Sequence, residues 1–238
     1  MEDFLKLKPD HRAILTDSPE SFSAIKGLLQ TTGYETVYNV ERIGEQKTGM
    51  ATFACKHPMT GDCLAIIYGM SASDEPSHAQ APFDFGAGGT KAKAMHAYTQ
   101  HFAMRTNNIE SLRGHLESRG AKFLTPIFNS ADQFGPLKQC FSRELLDDEW
   151  FFVELTQRDY DSSRIGKEKG AAFSDETVRA LYNTKQAEFR DWLKTQKKTK
   201  MFESDDKTRS EMRRLLEGLE PKGFEKLVRP LARIVVNG

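Results

Sequence analysis

Two stretches of this chain, 90 positions apart, follow one pattern, and each begins with histidine. His11-Arg12-Ala13-Ile14-Leu15-Thr16-Asp17-Ser18-Pro19-Glu20-Ser21 lies over His101-Phe102-Ala103-Met104-Arg105-Thr106-Asn107-Asn108-Ile109-Glu110-Ser111. Histidine, alanine, threonine, glutamate and serine coincide, and Asp17 answers Asn107. Self-similarity of this kind constrains the fold strongly, because one supersecondary unit is then used twice. It also sets a potential metal ligand, His11 or His101, at the same place in each copy.

Local signals outline the unit. A run over 11–16 predicts a strand, and Asp17-Ser18-Pro19-Glu20 supplies an N-cap with proline in the first turn. Phe22, Ile25, Leu28 and Leu29 recur at helical spacing, and Gly33 closes that helix. Strand-like runs follow at 34–40, 50–56 and 63–68, the last two joined by a turn at 57–62. The second copy keeps this order: a strand at 101–105, a helix over about 109–120, then strands at 122–126, 137–142 and 150–156.

The expected fold class is therefore α+β, with two tandem βαβββ modules forming a curved, barrel-like sheet around a metal site, and extra C-terminal helices. The two four-stranded sheets should bury their apolar faces against each other. The modules are assigned to 1–70 and 98–158. A connector rich in Ser, Ala, Pro and Gly fills 71–97, and a helical cap or extension takes 159–238. Within that extension a polar loop is expected at 159–170, helices near 174–194 and 208–219, and a helix or strand near 224–236.

Lysine plus arginine equals aspartate plus glutamate at 34 each, so nothing favours nucleic acid or an anionic membrane over a small-molecule substrate. The longest apolar run, 64–70, is too short to span a bilayer, and the first residues lack the layout of a signal peptide. Cys55, Cys63 and Cys140 show no zinc-type pairing, and read as buried thiols of a reduced, cytoplasmic enzyme. His57, His78, His96 and His115 read as ordinary polar residues.

Glu154 interrupts the apolar run Trp150-Phe151-Phe152-Val153-Glu154-Leu155. A carboxylate there is costly unless it is paired or metal-bound. His11, His101 and Glu154 can converge in the cavity if the modules face each other. Two imidazoles and one carboxylate on one face of an ion suit a non-haem Fe(II) centre, which keeps open positions for O2 and a chelating substrate. Carrying the repeat through Gly33 and Gly120 sets Ile67 opposite Glu154, so no fourth ligand is expected from the first module.

At these residues the chain resembles the vicinal-oxygen-chelate superfamily, and within it the catalytic domain of 4-hydroxyphenylpyruvate dioxygenase. Gln100-His101-Phe102-Ala103-Met104-Arg105-Thr106 is similar to that family's Gln-His-Ile-Ala-Leu-Lys-Thr segment, and Lys138-Gln139-Cys140-Phe141-Ser142-Arg143 to its Leu-Gln-Ile-Phe-Thr-Lys strand. Phe151-Phe152-Val153-Glu154-Leu155-Thr156-Gln157-Arg158 resembles its Leu-Phe-Leu-Glu-Ile-Ile-Gln-Arg strand, and Asp10-His11 its Asp-His pair. The resemblance implies Fe(II) held by His11, His101 and Glu154. It implies a substrate pocket lined by Gln100, Gln139, Phe141, Phe152 and Phe173, and a reaction between O2 and a 2-oxo acid or aromatic substrate.

Zn, Ni, Mn or Co would suit the same donors. The scaffold also carries isomerases, epimerases and ring-cleaving dioxygenases, and a non-catalytic protein could keep the pocket for a small ligand. A homodimer is compatible with the sequence.

Overall fold

The computed structural model describes residues 3–85, 96–132, 135–145, 150–158, 173–197 and 200–201. After a short 3-10 turn at Asp3–Leu5, the first copy of the repeat forms β1 (Lys8–Thr16), α1 (Pro19–Thr31), β2 (Glu35–Ile43), β3 (Met50–Lys56) and β4 (Cys63–Gly69). The second forms β5 (Ala97–Arg105), α3 (Ile109–Glu117), β6 (Phe128–Asp132), β7 (Gly135–Phe141) and β8 (Phe152–Arg158). Between them lies α2 (Ala81–Phe85), and after them α4 (Asp175–Thr195). The repeat extends to its helix caps. Ser18 accepts from the Ser21 N–H to start α1, and Asn108 accepts from the Ser111 N–H to start α3.

The modules join edge to edge. One eight-stranded sheet runs in the order β2-β3-β4-β1-β5-β8-β7-β6, with β1 antiparallel to β5 at the seam. The curved, barrel-like sheet expected from the repeat is one continuous sheet shared by the two copies. A single sheet curls into a half-barrel and brings the two halves round to face each other. The reason is the free edge of β1 in one module and of β5 in the other, which satisfy each other's backbone groups by pairing.

The convex side of the first module is covered by α1, with Leu29, Phe53, Cys55, Leu64 and Ile66 buried together. Its concave side holds Ala13, Leu15, Tyr38, Ile43, Met50, Ala54, Ala65, Ile67 and Ala79, closed by Tyr182 of α4. α4 is amphipathic, and its stripe of Thr177, Tyr182, Lys185, Gln186 and Phe189 is buried. It reaches both edge strands of the sheet: Tyr38 on β2 donates to Asp175 at 2.7 Å, and Thr177 donates to Ser130 on β6 at 3.2 Å. Gly44, with φ of +95°, lets the chain turn under the Tyr182 ring. A Cβ there would stand 2.2 Å from that ring.

One expected element differs. The segment expected as a strand at 122–126 makes an isolated bridge from Phe123 to Ser142, with the Leu124 N–H donating to the Phe141 carbonyl at 2.8 Å. The strand starts later, at Phe128, and pairs with β7. The segment read as a connector is packed where it is described. Ser77, His78, Ala79 and Gln80 are buried, Ser77 donates to the Thr48 carbonyl at 2.9 Å, and Gln80 donates to the Thr16 carbonyl at 3.0 Å. Side chains supply here the partners that a linker would find in water. The expected polar loop at 159–170 and the expected elements near 208–219 and 224–236 lie outside the described residues. Cys55, Cys63 and Cys140 are buried and free. No helix among the described residues is long and apolar enough to cross a membrane.

Candidate metal centre

His11 lies on β1, His101 on β5 and Glu154 on β8, three adjacent strands of the sheet. In one cross-strand row His11 stands opposite Ala103, which stands opposite Glu154, which stands opposite Phe141. The next row sets Ala13 opposite His101, and His101 opposite Phe152. The alanine shared by the two copies thus has a cross-module role: Ala13 lies beside the second module's histidine, and Ala103 beside the first module's. A methyl group at each place leaves room for imidazole and carboxylate to close above the seam.

The three side chains meet in a small triangle. His11 Nε2 is 3.3 Å from Glu154 Oε2, His101 Nε2 is 3.4 Å from that same oxygen, and the two Nε2 atoms are 3.4 Å apart. All three residues are at most 5% exposed. Donors held by one ion at about 2.1 Å stand roughly 3.0–3.4 Å apart when adjacent, so this triangle fits a bound ion. Glu154 is also aimed. Gln139 donates to its Oε1 at 2.6 Å, leaving Oε2 toward the histidines.

Two β-bulges shape the seam. Pro9 pairs with Met104 and His11 with Ala103, so Asp10 drops out of register. Ala13 pairs with His101 and Ile14 with Thr99, so Gln100 drops out in the same way. Each candidate histidine is therefore preceded by a bulged residue, a duplication that follows the sequence repeat.

Burial opposes a charge on His11, but Glu154 and Asp10 outweigh it and hold its pKa up at about 9. Burial, followed by the charges of His11 and Lys185, keeps His101 well below the ordinary histidine value. A cation entering the triangle would compete with protons for these ring nitrogens.

The aromatic candidates surround the triangle. The Phe152 ring is 4.8 Å from that of His101, and the Phe141 ring is 6.4 Å from it. Phe173 meets the His11 ring edge-on at 4.9 Å. Gln100 is buried and lines a neighbouring crevice with Leu15, His78, Glu144, Trp150 and Lys185. Gln139 touches the carboxylate of Glu154, so the two glutamines occupy different surroundings.

No protein-family model matches the sequence, and no curated protein matches it. Solved structures do. A mutant of 4-hydroxymandelate synthase from Streptomyces coelicolor superposes with a TM-score of 0.61 at 18% identity, covering 77% of this chain and 54% of that one. This chain has the vicinal-oxygen-chelate fold. It spans about half the length of that synthase chain. Methylmalonyl-CoA epimerase from Mycobacterium tuberculosis, also of vicinal-oxygen-chelate fold, matches with a TM-score of 0.43 at 15% identity, covering 63% of this chain and 86% of that one.

Within this vicinal-oxygen-chelate fold, register corrects one expectation. Ala13 pairs with Ala65 as Ala103 pairs with Glu154, so Ala65, and not Ile67, is the first-module counterpart of Glu154. The offset measured at the glycines does not persist to the last strand, because the segments between helix and last strand differ in length. The counterpart still has no carboxylate.

Sequence reading passes over the charged wall of the crevice. Lys185 is buried against Glu144, and donates to Glu188 at 2.8 Å. Burial would neutralise it, but the two carboxylates raise its pKa. Its ammonium lies 5.0 Å from the centre of the Phe152 ring, which in turn contacts His101. His78, read as an ordinary polar residue, is buried with Nδ1 3.1 Å from Gln186 Oε1. Burial and then Lys185 push its pKa down to about 3. Lys185 has a sequence signal: it falls three residues after Tyr182 and four before Phe189, on the buried stripe of α4. His78 has none, since its burial depends on α4 packing over the connector.

Proposed function

We propose that this protein is a non-haem Fe(II)-dependent dioxygenase acting on a 2-oxo acid or aromatic substrate with O2, resembling 4-hydroxyphenylpyruvate dioxygenase. The observation that carries this reading is the buried triangle of His11 Nε2, His101 Nε2 and Glu154 Oε2, with edges of 3.3–3.4 Å. Ala65 at the counterpart of Glu154 supports three protein ligands over four, which suits an ion that must also take substrate and O2.

Bound there, Fe(II) would supply a chelation site for the oxo acid and the electrons for O2 chemistry. The chain's own residues do the rest. Gln139 holds the Glu154 carboxylate so that one oxygen faces the ion. Phe141, Phe152 and Phe173 keep the surroundings apolar and exclude water. Gln100 lines the neighbouring crevice, where its amide would orient a polar group of the substrate.

The test is anaerobic Fe(II) binding, followed by addition of 4-hydroxyphenylpyruvate and related oxo acids. A stoichiometric site and a weak visible charge-transfer band that bleaches with O2 are expected. Stoichiometric binding of a redox-inert ion without any oxo-acid band would redirect the reading to an isomerase or epimerase. Absence of all metal binding would leave a non-catalytic ligand-binding protein.

A further inference from the structure

We infer that Asp10 is a positioning residue for the metal centre, orienting His11 through its Nδ1; this rests on the metal reading proposed above. Neighbouring residues in a regular strand point to opposite faces of the sheet. The bulge at Asp10 breaks that alternation and lets its carboxylate lie beside the ring of the very next residue. Asp10 Oδ1 is 3.0 Å from His11 Nδ1. The carboxylate is itself fixed. Arg158 donates to Oδ1 at 2.9 Å and to Oδ2 at 2.8 Å, and Arg105 donates to Oδ2 at 2.9 Å. The side chain of Asp10 is 3% exposed, so solvent does not compete for these bonds.

The consequence is directional. With Nδ1–H donated to an anchored carboxylate, the lone pair of His11 is confined to Nε2, the atom that faces Glu154 and His101. The carboxylate also makes that nitrogen a stronger donor toward a cation. The second copy of the repeat has the same bulge and lacks the device. Gln100 lines the crevice instead, and His101 Nδ1 is buried with no hydrogen-bond partner among the described residues. The two histidines are thus unequal ligands: one is aligned by a carboxylate that two arginines hold, the other by packing against Phe152.

Zn(II) affinity, read by competition with a chromophoric chelator, tests this on wild type, Asp10→Asn, Asp10→Ala and the control Asp62→Asn. Asp62 pairs with Arg12 and Tyr34, away from the triangle. Asp10→Asn is expected to lose roughly 10–100-fold in Zn(II) affinity, Asp10→Ala at least as much, and Asp62→Asn nothing. In Zn(II)-loaded wild type, nitrogen-edited NMR should show the His11 Nδ1–H as more deshielded and slower to exchange than that of His101. This spectrum decides the matter if the Asp10 variants do not fold. A folded Asp10→Asn variant with wild-type affinity, or two Nδ1–H signals with no such difference, overturns the positioning role. Wild type that binds no Zn(II) and no Fe(II) overturns the metal reading itself, and the positioning role with it.

Discussion

The two halves of the concave face descend from one sequence pattern and end with opposite contents. In the first module Ala13, Leu15, Ala65, Ile67 and Tyr38 form an apolar filling under Tyr182. In the second, His101, Glu154 and Gln139 occupy the same side of the sheet, and Lys185 and Glu144 form a buried ion pair beside them. Position by position the contrast is sharp: Ala65 answers Glu154, and Asp10 answers Gln100. Duplication supplies a symmetric frame, and the chemistry lies where the copies have diverged. Only His11 brings the first module into the centre, and its orienting partner Asp10 comes with it.

The largest effect should come from removing the residue that the first module lacks. Glu154→Ala should abolish tight Fe(II) binding, a loss beyond the roughly 100-fold that an orienting partner alone can cause. Calorimetry under anaerobic conditions checks it, and a variant with wild-type affinity would break the comparison. Lys185→Met removes the ammonium from between two carboxylates, and should destabilise the fold by about 3–5 kcal/mol in urea unfolding. Tyr182→Phe, packed over the first module's apolar filling, should cost only about 1 kcal/mol. It loses hydroxyl bonds to the Glu45 N–H and to Thr48, and keeps the packing.

Ala103→Leu tests the seam where the halves meet. Overpacking should cost about 1–3 kcal/mol and push His11 and Glu154 apart, so metal affinity should fall more than stability does. Equal affinity in this variant would mean that the small residue has no spacing role. The smallest effect near neutrality concerns His78. Its pKa is about 3 in the fold, so only the unfolded chain binds this proton as pH falls below about 6.5. Stability contributed by neutral His78 is therefore complete above that pH, and should fall by roughly 1.4 kcal/mol per unit down toward pH 3. Urea midpoints of wild type against His78→Gln, from pH 7 to 4, should converge as the pH drops.

Much of the fold is legible in short windows of residues. The cap at Ser18, the strand at 50–56 and the helix near 174–194 follow from local patterns of capping and periodicity. His11, His101 and Glu154 stand out as a set because the repeat aligns two of them and an apolar strand isolates the third. Pairing across the chain is harder to read. A single-residue change of register moves every side chain to the other face, and nothing local to 63–69 says which of its residues lies level with Glu154. The burial of His78 and Lys185 is hidden for a related reason, since each depends on a segment far away in sequence.

The sequence by itself determined the duplicated βαβββ order, the two histidines at matching places and the lone carboxylate on the last strand, because these are properties of periodicity and repetition along the chain. Only the tertiary structure decided that the modules join edge to edge through β1 and β5, and that bulges set Asp10 beside His11 and Gln100 beside the crevice. It also decided that Ala103 spaces His11 from Glu154. Those outcomes belong to backbone hydrogen bonding between strands about 90 residues apart, which the whole fold settles cooperatively and no local stretch of residues encodes.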